Sequence, residues 1–405
     1  RGKVRIGEVN GLLALRRNRD AAHDDVTVAV FYRFKNHAPE GVHKLHLKAL
    51  SLGDLLHQID VKADDFLRGR LEFERTVGCT RADRVFNRSG IGGTLLDHLS
   101  YDRKPESLYE PIKYVLSMGG KRIRPTLMLL AYNLYKENPE DILMNACALE
   151  TYHNYTLLHD DLMDNADMRR GHLTVHKKWN DNTAILSGDS MLVLAFQRMM
   201  QCDTKHLKDI LDLFTVTALE IGEGQQYDME FETRNDVKEE EYIEMIRLKT
   251  SVLLACALKI GAILADASAE DADNLYKFGE QIGLAFQLQD DYLDVYGDSK
   301  VFGKEIGGDI TSNKKTYMLI NAFNKANAAQ REELTRWVSA RDFDRNEKVD
   351  AVTRLYNEIG IDQLAQDKIA YYFAQSKKFL DAVNVPEEKK EELRKYAQKM
   401  MKRQY

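Results

Sequence analysis

Apolar residues recur every three to four positions over most of this 405-residue chain, which is the spacing of helices that bury one face. The pattern is clearest in DILMNACALETYHNYTLLHD (141–160) and DADNLYKFGEQIGLAFQLQDDYLDVY (271–296). Prolines are missing from the sequence between Pro139 and Pro386, and so is the regular apolar–polar alternation of strands. The pattern therefore predicts an all-α domain of about ten helices from residue 94 onward.

Glycine- and proline-containing segments interrupt the helical pattern at four places. They are SMGGKRIRP (117–125), ENPED (137–141), VYGDSKVFGKEIGGD (295–309) and VNVPEEKK (383–390). Such residues end helices, because proline cannot donate to the helical ladder and glycine adopts turn conformations freely. We expect helices to end at these segments.

Residues 1–93 differ from the rest of the chain. They contain one predicted strand, VTVAVFYRF (26–34), and 17 Lys and Arg against 12 Asp and Glu. No repeat or motif is visible in them. We therefore divide the chain into an N-terminal extension of unknown role (1–93) and a helical domain (94–405). The sequence leaves open whether the extension is a folded appendage or a disordered arm.

The overall composition is that of a soluble globular protein, with 44% hydrophobic residues, 30% charged residues and a net charge of −6. This mild acidity gives no support to nucleic-acid binding as the main activity. The four cysteines lie far apart and predict free thiols in a reducing cytoplasm. The longest apolar run, SVLLACALKIGAILA (251–265), is broken by Lys259 and predicts a core helix rather than an integral membrane segment.

Two acidic motifs of the form DDxxD carry the first chemical signal. On a helix, positions i and i+4 share a face, so Asp160 and Asp164 should point the same way, and the second motif repeats this spacing. Apolar neighbours place both motifs on packed helices at the rim of a cavity. Carboxylate oxygens are the ligands that Mg²⁺ prefers, and Mg²⁺ keeps positions for phosphate. The predicted metal ligands are Asp160, Asp161, Asp164, Asp290, Asp291 and Asp294.

Cationic residues accompany the acidic motifs and could bind phosphate oxygens. SMGGKRIRP places Lys121, Arg122 and Arg124 beside two glycines, which let the backbone approach an anion closely. A solvated basic loop is the competing interpretation of this motif alone. A lysine at position 249, within an apolar run, also needs an anionic partner. Further basic residues of the pattern are Arg169, Arg170, Lys304 and Lys314.

The ordered set GGKRIRP, DDLMD, RRG, GQQYD, KT and FQLQDDYLD, with trailing GK, D and NK, resembles the trans-isoprenyl diphosphate synthases, or polyprenyl synthetases. The resemblance covers about three quarters of the chain, from about Leu95 to the C-terminus. It implies a helical bundle around a deep central cavity, the isoprenoid synthase fold, and a homodimer. It also implies head-to-tail condensation of isopentenyl diphosphate with an allylic diphosphate.

The resemblance also implies roles for individual residues. Asp160 and Asp164, with Asp161 beside them, would hold two Mg²⁺ ions on the allylic diphosphate, and Asp290, supported by Asp291 and Asp294, a third. Thr250 and Gln287 would offer oxygen dipoles to the reacting carbon. The allylic diphosphate would be bound by Arg169, Lys249, Lys304 and Lys314. Isopentenyl diphosphate would be bound by Lys121, Arg124, His153 and Arg170.

Product length is predicted from the helix that ends at the first acidic motif. In the family, bulky residues four or five positions before the first Asp close the floor beneath the growing tail. Here Tyr155 and Thr156 occupy those positions, and Tyr152 lies deeper. One aromatic residue at that depth predicts a short C15 or C20 product. The alternative is that Tyr155 only packs the core.

Other functions account for less of the sequence. A class I terpene cyclase also ionises diphosphates at DDxxD, but it has no use for a second diphosphate pocket. A non-catalytic regulatory subunit of a prenyl synthase would be expected to lose acidic motifs, and both are complete here. A phosphohydrolase centred on His159 and Asp160 leaves the second motif unexplained. A nucleic-acid role for the basic extension lacks an aromatic or glycine pattern.

Overall fold

The computed structural model describes residues 103–297 and 306–402, and the backbone of four short strands within the first 45 residues. By its internal contacts the chain divides into two compact units, 1–101 and 102–405. The predicted boundary between residues 93 and 94 lies close to this division and stays a prediction.

The first unit contains a four-stranded antiparallel sheet. Its strands are β1 (Lys3–Val4), β2 (Gly11–Arg16), β3 (Thr27–Tyr32) and β4 (Lys44–Leu45), paired in that order. Strand β3 lies within the predicted strand 26–34. Strand β2, which pairs with β3 over six residues, was not predicted.

The described part of the second unit contains fifteen α-helices, rather than about ten, because several short helices lie between the long ones. A two-stranded hairpin, β5 (Met168–Arg169) and β6 (His172–Leu173), interrupts them. The helices are α1 (Glu106–Ser117), α2 (Ile123–Asn133), α3 (Leu143–Met163), α4 (Val175–Lys178), α5 (Asp181–Met199), α6 (Thr204–Thr233), α7 (Glu239–Ile246), α8 (Val252–Leu264), α9 (Ala269–Tyr296), α10 (Gly308–Thr311), α11 (Tyr317–Lys325), α12 (Ala328–Ser339), α13 (Arg345–Ile359), α14 (Ile361–Ala382) and α15 (Glu387–Lys402).

The predicted all-α class of the helical domain is confirmed, and so are the predicted helix ends. Helix α1 ends and α2 begins within 117–125, a short 3₁₀ turn starts at Pro139, and α9 ends at Tyr296. Helix α14 ends at Ala382, before Pro386. The glycine- and proline-containing segments thus lie between helices, because proline cannot donate to the helical ladder and glycine adopts turn conformations freely.

Helices α2, α3, α6, α7, α8 and α9 all contribute residues to the lining of a central cavity. Helix α8 is buried almost throughout and packs against α2, α6 and α9, while α3 packs against α2 and α5. A five-residue π-helical segment, Arg247–Ser251, joins α7 to α8 and contacts both α6 and α9. This arrangement leaves the C-terminal ends of α3 and α9 on the same cavity.

Two glycines allow the close packing around the π segment. A Cβ atom on Gly224 of α6 would overlap the backbone nitrogen of Lys249, and one on Gly283 of α9 would lie 2.6 Å from Ser251 Cα. A side chain at either position would push its helix away, so glycine brings α6 and α9 against the segment that carries Lys249.

Candidate active site

The C-terminal end of α3 forms the first carboxylate wall. Asp160 and Asp164, one turn apart, line a cavity of about 730 Å³. Asp161 is buried and turns toward the β5–β6 hairpin, where Arg169 Nε donates to its Oδ2 atom at 2.7 Å. Burial raises the pKa of both Asp161 and Asp164. The motif therefore presents two carboxylates to the cavity and one to the hairpin.

The C-terminal end of α9 forms the second carboxylate wall, and Asp290 and Asp291 line the same cavity. Asp291 is buried, and burial together with nearby Asp309 raises its pKa to about 7. Asp294 Oδ2 accepts a hydrogen bond from the backbone nitrogen of Asp309 at 2.9 Å. The two predicted walls thus face one cavity, as their shared lining shows.

Two lysines place positive charge among these carboxylates. Lys249 Nζ donates to Asp160 Oδ1 at 3.1 Å and to Asp228 Oδ2 at 2.7 Å, which joins α3 to α6. Burial lowers the pKa of Lys249 and of Lys314, but the surrounding carboxylates outweigh it and raise both above the ordinary value. Both side chains therefore stay cationic. The predicted partner Lys304 lies outside the described residues.

A second cavity, of about 1080 Å³, adjoins the first and is lined by Lys121, Arg124, His153 and Arg170. Arg124 Nη1 and His153 Nε2 lie 3.1 Å apart. Burial lowers the pKa of Arg124 to about 10, and burial and the neighbouring arginines lower the pKa of His153 well below its usual range. Arg124 Nε is buried without a hydrogen-bond partner among the described residues. This concentration of donors and positive charge suits a polyanion.

The turn that carries these cations is held by a buried ion pair. Arg122 adopts a left-handed backbone (φ 49°), and its guanidinium donates to the Glu150 carboxylate and to the Leu116 carbonyl, the latter at 2.9 Å. Glu150 also accepts from Asn154 Nδ2 at 2.8 Å. Arg122 therefore shapes the loop and, like Lys121 and Arg124, also lines the cavity.

The hairpin β5–β6 supplies the two remaining arginines. Arg170 at its turn has φ 53°, and its guanidinium donates to the Gly119 carbonyl of the basic loop. Arg169 Nη2 lies 3.6 Å from Asp160 Oδ2. The hairpin thus connects the basic loop with the first carboxylate wall, and both arginines line both cavities.

Apolar and aromatic residues also line the first cavity. Among them are Tyr152, Tyr155 and Thr156 of α3, the residues predicted to limit product length, and Ile221 and Gly222 of α6. The Tyr155 ring packs at 5.5 Å from that of Tyr152 and at 4.8 Å, edge to face, from that of His159. Tyr155 therefore both packs against neighbours and lines the cavity.

Thr250 and Gln287 meet across the cavity wall. The Thr250 hydroxyl, in the π segment, donates to Gln287 Oε1 of α9 at 3.0 Å. Gln287 Nε2 in turn donates to Asp291 Oδ1 at 3.0 Å. Short π-helical segments often occur at functional sites, and this one turns both Lys249 and Thr250 toward the cavity.

The motif GQQYD singles out Asp228 in the sequence without giving it a role, whereas two further side chains of the site were not predicted. Glu150 sits in an apolar helix, where a lone carboxylate suggests a buried partner. Tyr242, whose hydroxyl donates to Asp291, has the spacing of an ordinary core residue and carried no signal.

The donor set is suited to divalent cations shared with an anionic ligand. Among the described residues, no three His, Cys, Asp or Glu side chains form a ready-made metal group. The carboxylates instead stand on two walls, and burial raises the pKa of several of them, which the neighbouring cations offset only in part. Added cations would relieve this, and hard cations prefer oxygen ligands.

Comparison with known proteins identifies the family. The polyprenyl synthetase family model matches residues 105–359, more than half of the chain. The chain belongs to the polyprenyl synthetase family. The predicted family, fold and enzyme class, a short-chain trans-prenyltransferase, are therefore confirmed, and the family acts on isoprenoid diphosphates.

Several relatives are similar over most of their own length. A geranylgeranyl diphosphate synthase of Methanosarcina mazei is 43% identical over 248 residues, covering 61% of this chain and 76% of the relative. A farnesyl diphosphate synthase of Bacillus subtilis is 40% identical over 223 residues, covering 53% and 75%. Their names span both predicted product lengths.

Solved structures of the family share the fold. A crystal structure of a geranylgeranyl pyrophosphate synthase, 40% identical, matches 78% of this chain and 99% of its own with a TM-score of 0.74. A geranylgeranyl pyrophosphate synthase of Corynebacterium glutamicum, 27% identical, matches 78% and 97% with a TM-score of 0.69, and is complexed with isoprenyl diphosphate and magnesium. Across the described residues, no helix combines the length and apolarity needed to cross a membrane.

Proposed function

We propose that this enzyme condenses isopentenyl diphosphate with an allylic diphosphate, head to tail, to give a C15 or C20 all-trans prenyl diphosphate. One observation carries the proposal: two adjoining cavities, each with its own cations, share Asp164, Asp290, Arg169 and Arg170. One cavity has an apolar end at Tyr152 and Tyr155, whereas the other contains Lys121 and a mixed lining of basic, acidic and apolar residues. Two diphosphates, only one with its tail in the apolar end, account for this arrangement.

The residue roles follow from this assignment. Asp160, Asp164 and Asp290, supported by Asp161, Asp291 and Asp294, would hold divalent cations at the allylic diphosphate. We propose that these cations are three Mg²⁺ ions. Their positive charge would stabilise the departing diphosphate. Arg169, Lys249, Lys304 and Lys314 would bind the same group. Lys121, Arg124, His153 and Arg170 would bind isopentenyl diphosphate.

The reaction breaks the allylic C–O bond, and the electron pair leaves with diphosphate. Thr250 and Gln287 oxygens stabilise the positive charge that develops on the allylic carbon, because their dipoles are already oriented in the free protein. The double bond of isopentenyl diphosphate attacks that carbon, and a proton is then lost to the released diphosphate. The apolar lining keeps water away from the cation.

Alternative functions fit the cavities less well. A terpene cyclase binds a single diphosphate and would leave the basic cavity around Lys121 and Arg124 without a ligand. A regulatory subunit needs neither complete carboxylate wall. Both readings therefore explain fewer of the charged residues than condensation does.

We further propose a homodimer located in the cytoplasm. Helices α5 and α6 touch through Phe196 and Phe214, at 4.8 Å between ring centroids, yet also expose large apolar side chains. Val193 is 67% exposed and Leu219 70% exposed. A second copy of the chain would cover this surface. Free thiols at Cys147, Cys202 and Cys256 suit a reducing compartment.

Incubation with isopentenyl diphosphate, Mg²⁺ and each of the C5, C10 and C15 allylic diphosphates tests the function. We expect linear C15 or C20 prenyl diphosphates, identified by chromatography of the hydrolysed products. A cyclic hydrocarbon would support the cyclase instead. Inactivity with all three substrates would support the regulatory subunit.

A further inference from the structure

Tyr242 of α7 is a buried tyrosine whose hydroxyl reaches the second carboxylate wall. Its side chain is 1% exposed and packs in the apolar core between α7, α9 and α11. The hydroxyl leaves this core at one point and donates to Asp291 Oδ2. Within the described part of the chain, Asp291 therefore has a partner on a different helix.

The two oxygens of Asp291 are both engaged by uncharged donors. Tyr242 occupies Oδ2, and Gln287 Nε2 occupies Oδ1 at 3.0 Å. Only 4% of the residue is exposed. Asp291 differs in this from Asp160, whose carboxylate pairs with the cations Lys249 and Arg169. Each oxygen of Asp291 thus accepts from a donor that fixes the orientation of the carboxylate.

This arrangement fixes which way the Gln287 amide faces. Gln287 Nε2 donates to Asp291 Oδ1 at 3.0 Å, so the NH₂ group of Gln287 points at Asp291. The amide oxygen then points the other way, where the Thr250 hydroxyl donates to it at 3.0 Å. A continuous chain of hydrogen bonds thus runs from Tyr242 through Asp291 and Gln287 to Thr250.

We propose that Tyr242 is a positioning residue for prenyl transfer: through Asp291 it holds the Gln287 carbonyl oxygen, with Thr250, toward the reacting carbon. The inference rests on the proposed function, in which Thr250 and Gln287 face the developing cation. An amide turned by 180° would present NH₂ there, and its partial positive charge would oppose the cation. The relay excludes that orientation before substrate binds.

Removing the Tyr242 hydroxyl leaves one oxygen of Asp291 without its donor. A buried carboxylate oxygen without a hydrogen-bond donor costs free energy, and Lys314 is a neighbouring cation that could replace the lost donor. Rotation of Asp291 toward Lys314 would release Gln287 Nε2. The expected defect is therefore in the chemical step, not in the affinity for either diphosphate.

The experiment compares Tyr242→Phe with Tyr292→Phe. Tyr292 is a matched control on α9, because its hydroxyl donates to Asp362 Oδ1 at 2.8 Å and Gln366 Nε2 donates to the same oxygen. We expect Tyr242→Phe to lower kcat about tenfold, which is the effect of losing one hydrogen bond to a carboxylate. The KM values for both substrates and the Mg²⁺ dependence should change by no more than about twofold. Tyr292→Phe should keep wild-type kcat.

A second measurement is independent of activity. In protein labelled with ¹⁵N-glutamine and free of metal and substrate, the Gln287 side-chain NH₂ should exchange slowly with solvent. The signal is assigned by its loss in Gln287→Leu. Faster exchange in Tyr242→Phe, and not in Tyr292→Phe, is expected.

The outcomes separate the inference from the function on which it rests. Unchanged kcat and unchanged exchange in Tyr242→Phe would overturn the positioning role, and so would an equal loss in Tyr292→Phe. If Tyr242→Phe does not fold, the wild-type measurement decides, and rapid solvent exchange of the Gln287 side-chain NH₂ in the free protein would overturn the proposal. Inactive wild-type protein with slow Gln287 exchange would contradict the proposed function alone.

Discussion

Lys249 joins carboxylates from two helices and lies where the allylic diphosphate is proposed to bind. Its ammonium group contacts Asp160 and Asp228, and the three side chains are largely buried. A cation here lowers the repulsion among the carboxylates and adds a charge-assisted hydrogen bond to phosphate. Single charges at this position therefore decide how well the cavity accepts an anion.

We expect Lys249→Met to lower kcat/KM for the allylic diphosphate about ten- to a hundredfold, since a hydrogen bond to a charged group is worth about 1.5–3 kcal/mol. Steady-state kinetics with varied allylic substrate measures this. Lys259→Met is the control, because Lys259 pairs with the exposed Asp273 at 2.6 Å. Equal activity of the two variants would contradict a diphosphate-binding role for Lys249.

Tyr155 is the residue expected to limit product length. Replacing it with Ala removes an aromatic ring from the cavity lining and deepens the space beneath the allylic carbon. We expect Tyr155→Ala to shift the product to a longer chain, whereas Tyr155→Phe, which keeps the ring, retains the wild-type length. Product chromatography compares the two, and an unchanged length in Tyr155→Ala would show that the ring only packs.

At the scale of elements, the π segment between α7 and α8 depends on contact with α6. The segment carries Lys249 and Thr250, and Gly224 of α6 lies against its backbone. A side chain at position 224 would meet backbone atoms of the π segment, and a backbone cannot avoid the overlap by changing rotamer as a long side chain can. The position of both functional side chains is thus tied to one glycine.

Two glycines of α6 provide a matched pair of substitutions. Gly224→Ala should destabilise the protein by about 1–3 kcal/mol and reduce activity, because the new methyl group overlaps the π segment. A Cβ atom on Gly222, one half-turn earlier, meets nothing within 4 Å. Gly222→Ala should stabilise the helix by up to about 1 kcal/mol. Urea unfolding of both variants measures the difference, and similar stabilities would refute the tight contact.

At the scale of the whole molecule, the apolar surface of α5 and α6 predicts self-association. Leu219→Glu would place a charge on a face that a second copy is proposed to cover, so we expect monomers in sedimentation velocity. Tyr371→Glu, on α14, alters an exposed aromatic residue elsewhere and should leave the assembly unchanged. Dissociation by both variants, or by neither, would argue against this interface.

The N-terminal extension gives a second whole-molecule prediction. The family match begins at residue 105, and the compact helical unit begins at residue 102. We expect a chain of residues 94–405 to keep prenyl transfer at a rate within about twofold of the full chain, in the assay described above. Loss of activity with retained helical circular dichroism would assign the extension a functional role.

Much of the site could be predicted because its signals are local. The spacing of Asp160 and Asp164 fixes a shared helix face without reference to any other segment, and the glycines of 117–125 end a helix wherever they occur. The number of short helices and strand β2 were missed, since weak local preferences there are decided by packing.

The sequence by itself determined the helical class, the helix ends, and the residue types suited to binding metal and phosphate, because these depend on spacing and side-chain chemistry. Only the tertiary structure decided which partner each charged side chain has. Asp161 turns to Arg169 and Asp291 to Tyr242, and Lys249 pairs with Asp228. Such pairings join residues far apart in sequence, so they follow from how the helices pack and not from any local pattern.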